Sequence, residues 1–259
     1  QASREQLTTD PACWVLKPGD PWHGFEQLEE DWCMLDPIKA GIMVPGMGDD
    51  GKLSEKGIPA AIVTAFLGQR GIVPSRTTDF MVLCLFSVGV TKGKWGTLIN
   101  VLLEFKQHYD SNTPISVCLP DLAKNYPHQY AHKGLKVLCD EMFAYMKISE
   151  MDKLQAEAFS HLPTPVVLPR QAFQDHMAGR CELLPIDKLA GRVSAVGVIP
   201  YPPGIPIVMP GESFGSHEEP WLRYILSITK WGQHFPGFEK ILEGSEQKNG
   251  QYFIWVLKQ

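Results

Sequence analysis

The 259-residue sequence contains no apolar run of the roughly 18 residues that a membrane-spanning helix needs, and its opening QASREQLTTD lacks the charged-then-apolar pattern of a secretory leader. The expectation is a cytoplasmic protein with no membrane contact. Basic residues are not in excess either. The 24 Lys and Arg are interspersed among 29 Asp and Glu for a net charge of −5, which leaves no basic face for nucleic acid. Small molecules or other proteins are the expected partners. The six cysteines form no CxxC pair and none has a local histidine signature; Cys84 and Cys139 stand among apolar neighbours and read as reduced core residues. The eight histidines show neither HExxH nor Cys/His zinc spacing, so no metal site is expected. A Gly-x-Ser-x-Gly elbow, a P-loop and a full calcium loop are all missing, which leaves "PGMGDDGKLSEKG", with Gly46, Gly48 and Gly51, as a mobile surface turn.

What the chain does hold is 44% hydrophobic residues over a length that suits two ordinary domains. In "GIPAAIVTAFLGQRG" the pairs Ile62, Phe66 and Val63, Leu67 repeat at helical spacing, Pro59 suits the first turn and Gly71 the end. The apolar run Phe80–Phe86 is too short for a good helix and predicts a strand buried on both faces. After it, Trp95, Leu98, Ile99 and Leu102 make the inward stripe of a second helix with Thr91 as its cap. Helix, strand, helix implies a sheet covered by helices. Turn residues between Asp110 and Pro120 predict a domain boundary, giving units of residues 1–110 and 111–259. In the second unit Leu135, Leu138, Cys139, Met142, Phe143 and Met146 define an amphipathic helix. Two short strands are expected around Tyr-Pro-Pro-Gly, a helix over Trp221–Phe235, and a closing strand in "QYFIWVLK".

Five separated blocks, "WHGFEQLEEDWCMLDPIKAGIMVPGM", "GIPAAIVTAFLGQRGIVPSRTTDF", "LFSVGVTKGKWGTL", "PYPPGIPIVMPGE" and "HFPGFE", occur in the order seen in the C-terminal third of the bacterial ornithine/lysine/arginine decarboxylases, which the chain resembles over essentially its whole length. The resemblance implies an α/β (α+β) fold, in which residues 1–110 are the later part of an aminotransferase-like small domain and residues 111–259 the family's C-terminal domain. It implies pyridoxal 5'-phosphate (PLP) as cofactor of the complete enzyme, a lyase of polyamine metabolism and acid resistance that forms dimers and, in inducible members, decamers. The cofactor lysine of that family lies in a preceding large domain, so the resemblance places no catalytic residue in this chain. The His132-Lys133 pair in "YAHKGL" is a decoy, with Lys133 a solvated residue at a helix end.

Within "PSRTTDF" the resemblance marks a substrate-binding set, Ser75, Arg76, Thr77 and Asp79. Lysine- and ornithine-preferring members resemble one another in carrying Glu-Lys where this chain has Ser75-Arg76, a pattern closer to the arginine-preferring branch. Ser75 would leave room for a guanidinium and Asp79 would supply its counter-charge. The alternative is that Arg76 and Asp79 only pair with each other at the strand entrance. The strand Phe80–Val88 lacks the arginine with which related aminotransferases grip the substrate carboxylate, a loss that favours release of carbon dioxide. Trp22, His23 and Tyr201 are candidates for the active-site channel or a dimer contact, each equally readable as packing. Arginine is the favoured substrate, lysine or ornithine the near rival, and a cofactor-free binding or assembly module the rival of another class.

Overall fold

The computed structural model describes residues 2–20, 23–29, 32–48, 51–248 and 250–259. After a short exposed helix α1 (Arg4–Thr9), the first half is built on β1 (Lys39–Met43), α2 (Ala60–Gly68), β2 (Arg76–Thr77), β3 (Met81–Leu85) and α3 (Lys92–Asp110). The three strands pair antiparallel in the order β1-β3-β2, with both Gly41 and Arg76 opposite Leu83. Ile62, Val63, Phe66 and Leu67 of α2 are all buried, as their spacing predicts.

Two expectations need correction here. The apolar run does form a strand, but it is buried on one face only, through Phe80, Val82 and Cys84, while Leu85 is 45% exposed. An antiparallel sheet can be covered on one side only, and here α2 and α3 lie against one face. In α3 the buried residues are Leu98, Val101 and Phe105, whereas Trp95 and Ile99 are 41% and 47% exposed. Apolar residues occupy more than one face of this helix, so the helical period left its rotation open. Contact with α2 settles it, through the edge-to-face pair of Phe66 and Phe105 at 5.2 Å.

Three short helices follow, α4 (Ile115–Cys118), α5 (Pro120–Asn125) and α6 (Pro127–Tyr130), the last two opened by proline at the first helical position. They lead into α7 (Leu135–Ile148), which buries all six residues of the predicted stripe. The ring of Phe143 closes over Gly46 and Gly57. A Cβ on either glycine would come within 2.6 Å or 2.3 Å of that ring. Gly46 is therefore a buried packing position with φ +132°, rather than part of a mobile surface turn. Asp49 and Asp50 of that turn lie outside the described residues.

The second half comprises α8 (Met151–Ser160), α9 (Pro169–Met177), β4 (Cys181–Pro185), β5 (Ile199–Tyr201), α10 (Pro220–His234), β6 (Ile241–Glu243), β7 (Ser245–Lys248) and β8 (Gln251–Leu257). A three-stranded sheet runs β4-β8-β7, and β5 pairs with β6. The Tyr-Pro-Pro-Gly loop thus does not join two paired strands. Its return segment meets the outgoing one at the isolated Val198–Val208 and Val193–Ser213 bridges, and β5 takes a partner about 40 residues further on.

Buried apolar residues form two clusters. One runs from Val44 to Met151, and the other from Ala158 to Val256. Helix α10 belongs to both: Trp221, Leu222, Tyr224, Ile225 and Ile228 pack in the second, Trp231 and the following Phe235 in the first. The architecture is α+β, with antiparallel sheets and helices in each half.

Candidate functional site

A pocket of about 400 Å³ opens where residues 74–79 around β2 meet Tyr201 and Pro202 at the end of β5 and the turn Gly237–Ile241 after α10. Ala61, Thr64 and Ala65 of α2, Met146 of α7 and Trp231 of α10 complete its wall. Folding therefore gathers Ser75, Arg76, Thr77, Asp79 and Tyr201 around one cavity, although Tyr201 is more than 120 residues from the others. His23 is not among the lining residues. Its Nδ1 accepts from the Phe25 N–H at 2.9 Å, its Nε2 donates to the Lys17 carbonyl at 2.9 Å, and its ring stacks on Phe25. Trp22 lies outside the described residues.

The segment carrying the candidate residues is held by its backbone. The Ser75 N–H donates to the Leu83 carbonyl at 2.8 Å, and the Thr78 and Met81 backbones close the turn into β3, with Thr78 Oγ1 accepting from the Met81 N–H. Thr77 points inward, where its hydroxyl and that of Thr64 lie 2.7 Å apart. Ser75 and Arg76 are exposed, and among the described residues Arg76 makes no ion pair.

Asp79 is already engaged. Lys240 Nζ lies 2.7 Å and 3.0 Å from its two carboxylate oxygens, with the side chains only 8% (Lys240) and 14% (Asp79) exposed. An ammonium that deep requires its partner, so this carboxylate is committed to Lys240. The cation on Asp79 is Lys240 and not Arg76, so a guanidinium at this carboxylate would share it with a buried lysine. The partner lies 161 residues away, beyond the reach of any local pattern.

The turn that supplies Lys240 also brings Glu239 to the pocket, a residue to which sequence reasoning gave no role. Its local signal was the Pro236-Gly237 step. Gly237 has φ +91°, and a Cβ there would stand 2.6 Å from Leu122 Cδ1. Tyr130 Oη donates to the Pro236 carbonyl at 2.8 Å and Trp231 Nε1 to the Phe238 carbonyl at 2.7 Å. Burial keeps the Tyr130 hydroxyl well above the usual phenol range, so it remains a donor.

Other candidate nucleophiles are quiet. Burial pushes the Cys84, Cys118, Cys139 and Cys181 thiols up, which disfavours the reactive thiolate. Lys133 is ion-paired with Glu141 of α7. Among the described residues no three His, Cys, Asp or Glu side chains gather as a metal site would require, and no helix is long and apolar enough to cross a membrane.

The chain is α+β, with a pocket lined by both charged and apolar side chains. Comparison with known proteins gives it a family. Residues 1–94 match the Orn/Lys/Arg decarboxylase major domain and residues 152–258 the Orn/Lys/Arg decarboxylase C-terminal domain. The biodegradative arginine decarboxylase of Escherichia coli K12 is 49% identical over 99% of this chain and 34% of its own length. The lysine decarboxylase LdcA of Pseudomonas aeruginosa is 42% identical over 92% of this chain and 32% of its own length. The solved structure of the E. coli constitutive lysine decarboxylase superposes with a TM-score of 0.89 at 40% identity, covering 96% of this chain and 36% of that one. The chain belongs to the Orn/Lys/Arg decarboxylase family, and it spans about a third of the length of the curated relatives it matches.

Proposed function

We propose that these residues form the C-terminal third of a PLP-dependent decarboxylase that converts L-arginine and a proton to agmatine and carbon dioxide. The observation that carries the reading is the single pocket gathering Ser75, Arg76, Thr77 and Tyr201, in a chain 49% identical to an arginine decarboxylase. Ser75 presents a short hydroxyl at the pocket wall, which leaves room for a planar guanidinium. A lysine substrate is the second reading, favoured by the 42% identity to LdcA.

The pocket does not fit the cofactor's anchor. Lys240, which lines it, is engaged in an ion pair with Asp79. PLP and its lysine would then belong to the remainder of the enzyme, and these residues would shape the pocket and the subunit contacts. The same proposal includes a small domain through residue 110, a C-terminal domain from 111, a cytoplasmic location, and assembly into dimers or decamers. Tyr201, which lines the pocket, would serve its channel or a dimer contact.

The test is turnover by the full-length polypeptide supplied with PLP, with arginine, lysine and ornithine compared. Arginine should have the highest kcat/KM; a preference for lysine or ornithine would overturn the assignment. Ser75→Glu should lower kcat/KM for arginine about tenfold, or about 1.4 kcal/mol, by filling the pocket. Unchanged arginine kinetics in that variant would remove Ser75 from the specificity argument.

A further inference from the structure

We infer that Glu239 receives the cationic end of the substrate side chain, in a pocket where Asp79 is already paired with Lys240. This rests on the basic amino-acid reading of the same pocket. Among the described residues, four that line the cavity are charged, namely Arg76, Asp79, Glu239 and Lys240. Asp79 and Lys240 cancel each other across 2.7 Å. Arg76 has the sign of the ligand and repels it. Glu239 is the remaining carboxylate.

Its hydrogen bonding leaves it capacity to act. Oε1 accepts from the Gly237 N–H at 2.9 Å, and among the described residues Glu239 makes no ion pair. A carboxylate offers about four lone-pair directions, so most of its capacity remains open to the two parallel N–H bonds of a guanidinium. The turn is also pre-organised. Tyr130 and Trp231 hold the carbonyls of Pro236 and Phe238 on either side of Gly237, and Lys240 fastens the next residue to Asp79. Little ordering is then left to occur when a ligand arrives. Phe238 and Met146 add apolar wall for the methylene chain that joins the two ends of a basic amino acid.

Calorimetric titration of the full-length polypeptide with agmatine, and with the analogue in which an uncharged urea replaces the guanidinium and the amine is kept, tests this directly. Glu239→Gln keeps the shape and an oxygen for the Gly237 N–H while removing the charge. Agmatine should bind at least tenfold more weakly to this variant, the urea analogue should bind unchanged, and Glu239→Asp should recover part of the loss. Equal agmatine affinity in wild type and Glu239→Gln overturns the inference, and so does an equal loss for both ligands, which marks a structural role. A decarboxylation assay run alongside separates the two readings. Agmatine binding that depends on Glu239, with no turnover of any basic amino acid, removes the decarboxylase reading and supports the inference. Turnover with binding independent of Glu239 removes the inference alone.

Discussion

Lys240 is the residue whose environment differs most from what its type suggests. A lysine in a Gly-Phe-Glu-Lys turn reads as solvent-facing, yet it is 8% exposed and its ammonium sits on Asp79. Removing one partner of such a pair leaves the other charge buried and uncompensated, which costs about 3–5 kcal/mol. Asp79→Ala should therefore lower the urea midpoint substantially. The double change Asp79→Leu with Lys240→Met should recover much of the loss, since neither charge then remains. If the single variant is as stable as wild type, the pair is not the strut between the 75–79 segment and the turn after α10. The local reading of Asp79 left out Lys240 for a physical reason: a charge is read correctly from sequence, but its partner is set by which segments fold together.

At the scale of elements, two junctions carry the first half. Arg70, at the end of α2, lies over the Phe66 ring at 3.3 Å and donates to both Glu104 oxygens on α3 at 3.0 Å and 2.6 Å. Those hydrogen bonds, chiefly, hold the Glu104 carboxyl below its ordinary range. A carboxyl lowered on folding adds stability above its unfolded pKa, about 4.3, and that stability is lost as pH falls through the lower folded value. Glu104 is 42% exposed, so the contribution is screened to less than about 1 kcal/mol. Glu104→Gln should lower stability slightly at neutral pH and flatten the acid limb of the stability curve; an unchanged acid limb would discount the Arg70 bridge. The second junction is the start of α7. Gly134 at its N-cap has no side chain to offer, and Asn112 Oδ1 accepts from the N–H groups of Lys136 and Val137 at 3.0 Å and 3.2 Å. Asn112 has φ +47°, a conformation asparagine tolerates better than most residues. Asn112→Ala should cost about 1–2 kcal/mol in thermal or chemical unfolding. The stripe of α7 was legible because six apolar residues follow one period. Its cap was not, because it comes from 24 residues upstream.

For the whole molecule, α10 and α8 are helices that both apolar clusters share, α8 through Met151 in the first and Ala158 in the second. Trp231 packs on Phe235 at 4.7 Å and edge-on to Tyr145 at 5.9 Å, and its indole N–H holds the Phe238 carbonyl. Trp231→Ala should cost about 3–5 kcal/mol. In calorimetry it should split the unfolding of the two clusters into separate transitions, and a single unshifted transition would show that they do not communicate through this helix. The sequence alone determined the helices α2, α7 and α10, the strand at Met81–Leu85 and the family, because hydrophobic period and motif order are local or serial properties. Tertiary structure alone decided the rotation of α3, the exposure of one sheet face, and the pairing of β5 with β6. It also decided that Asp79 is taken by Lys240 while Glu239 remains open at the pocket. Each of these depends on contacts between segments far apart in the chain. Burial and charge pairing are settled by what packs alongside, and no local spacing encodes that neighbour.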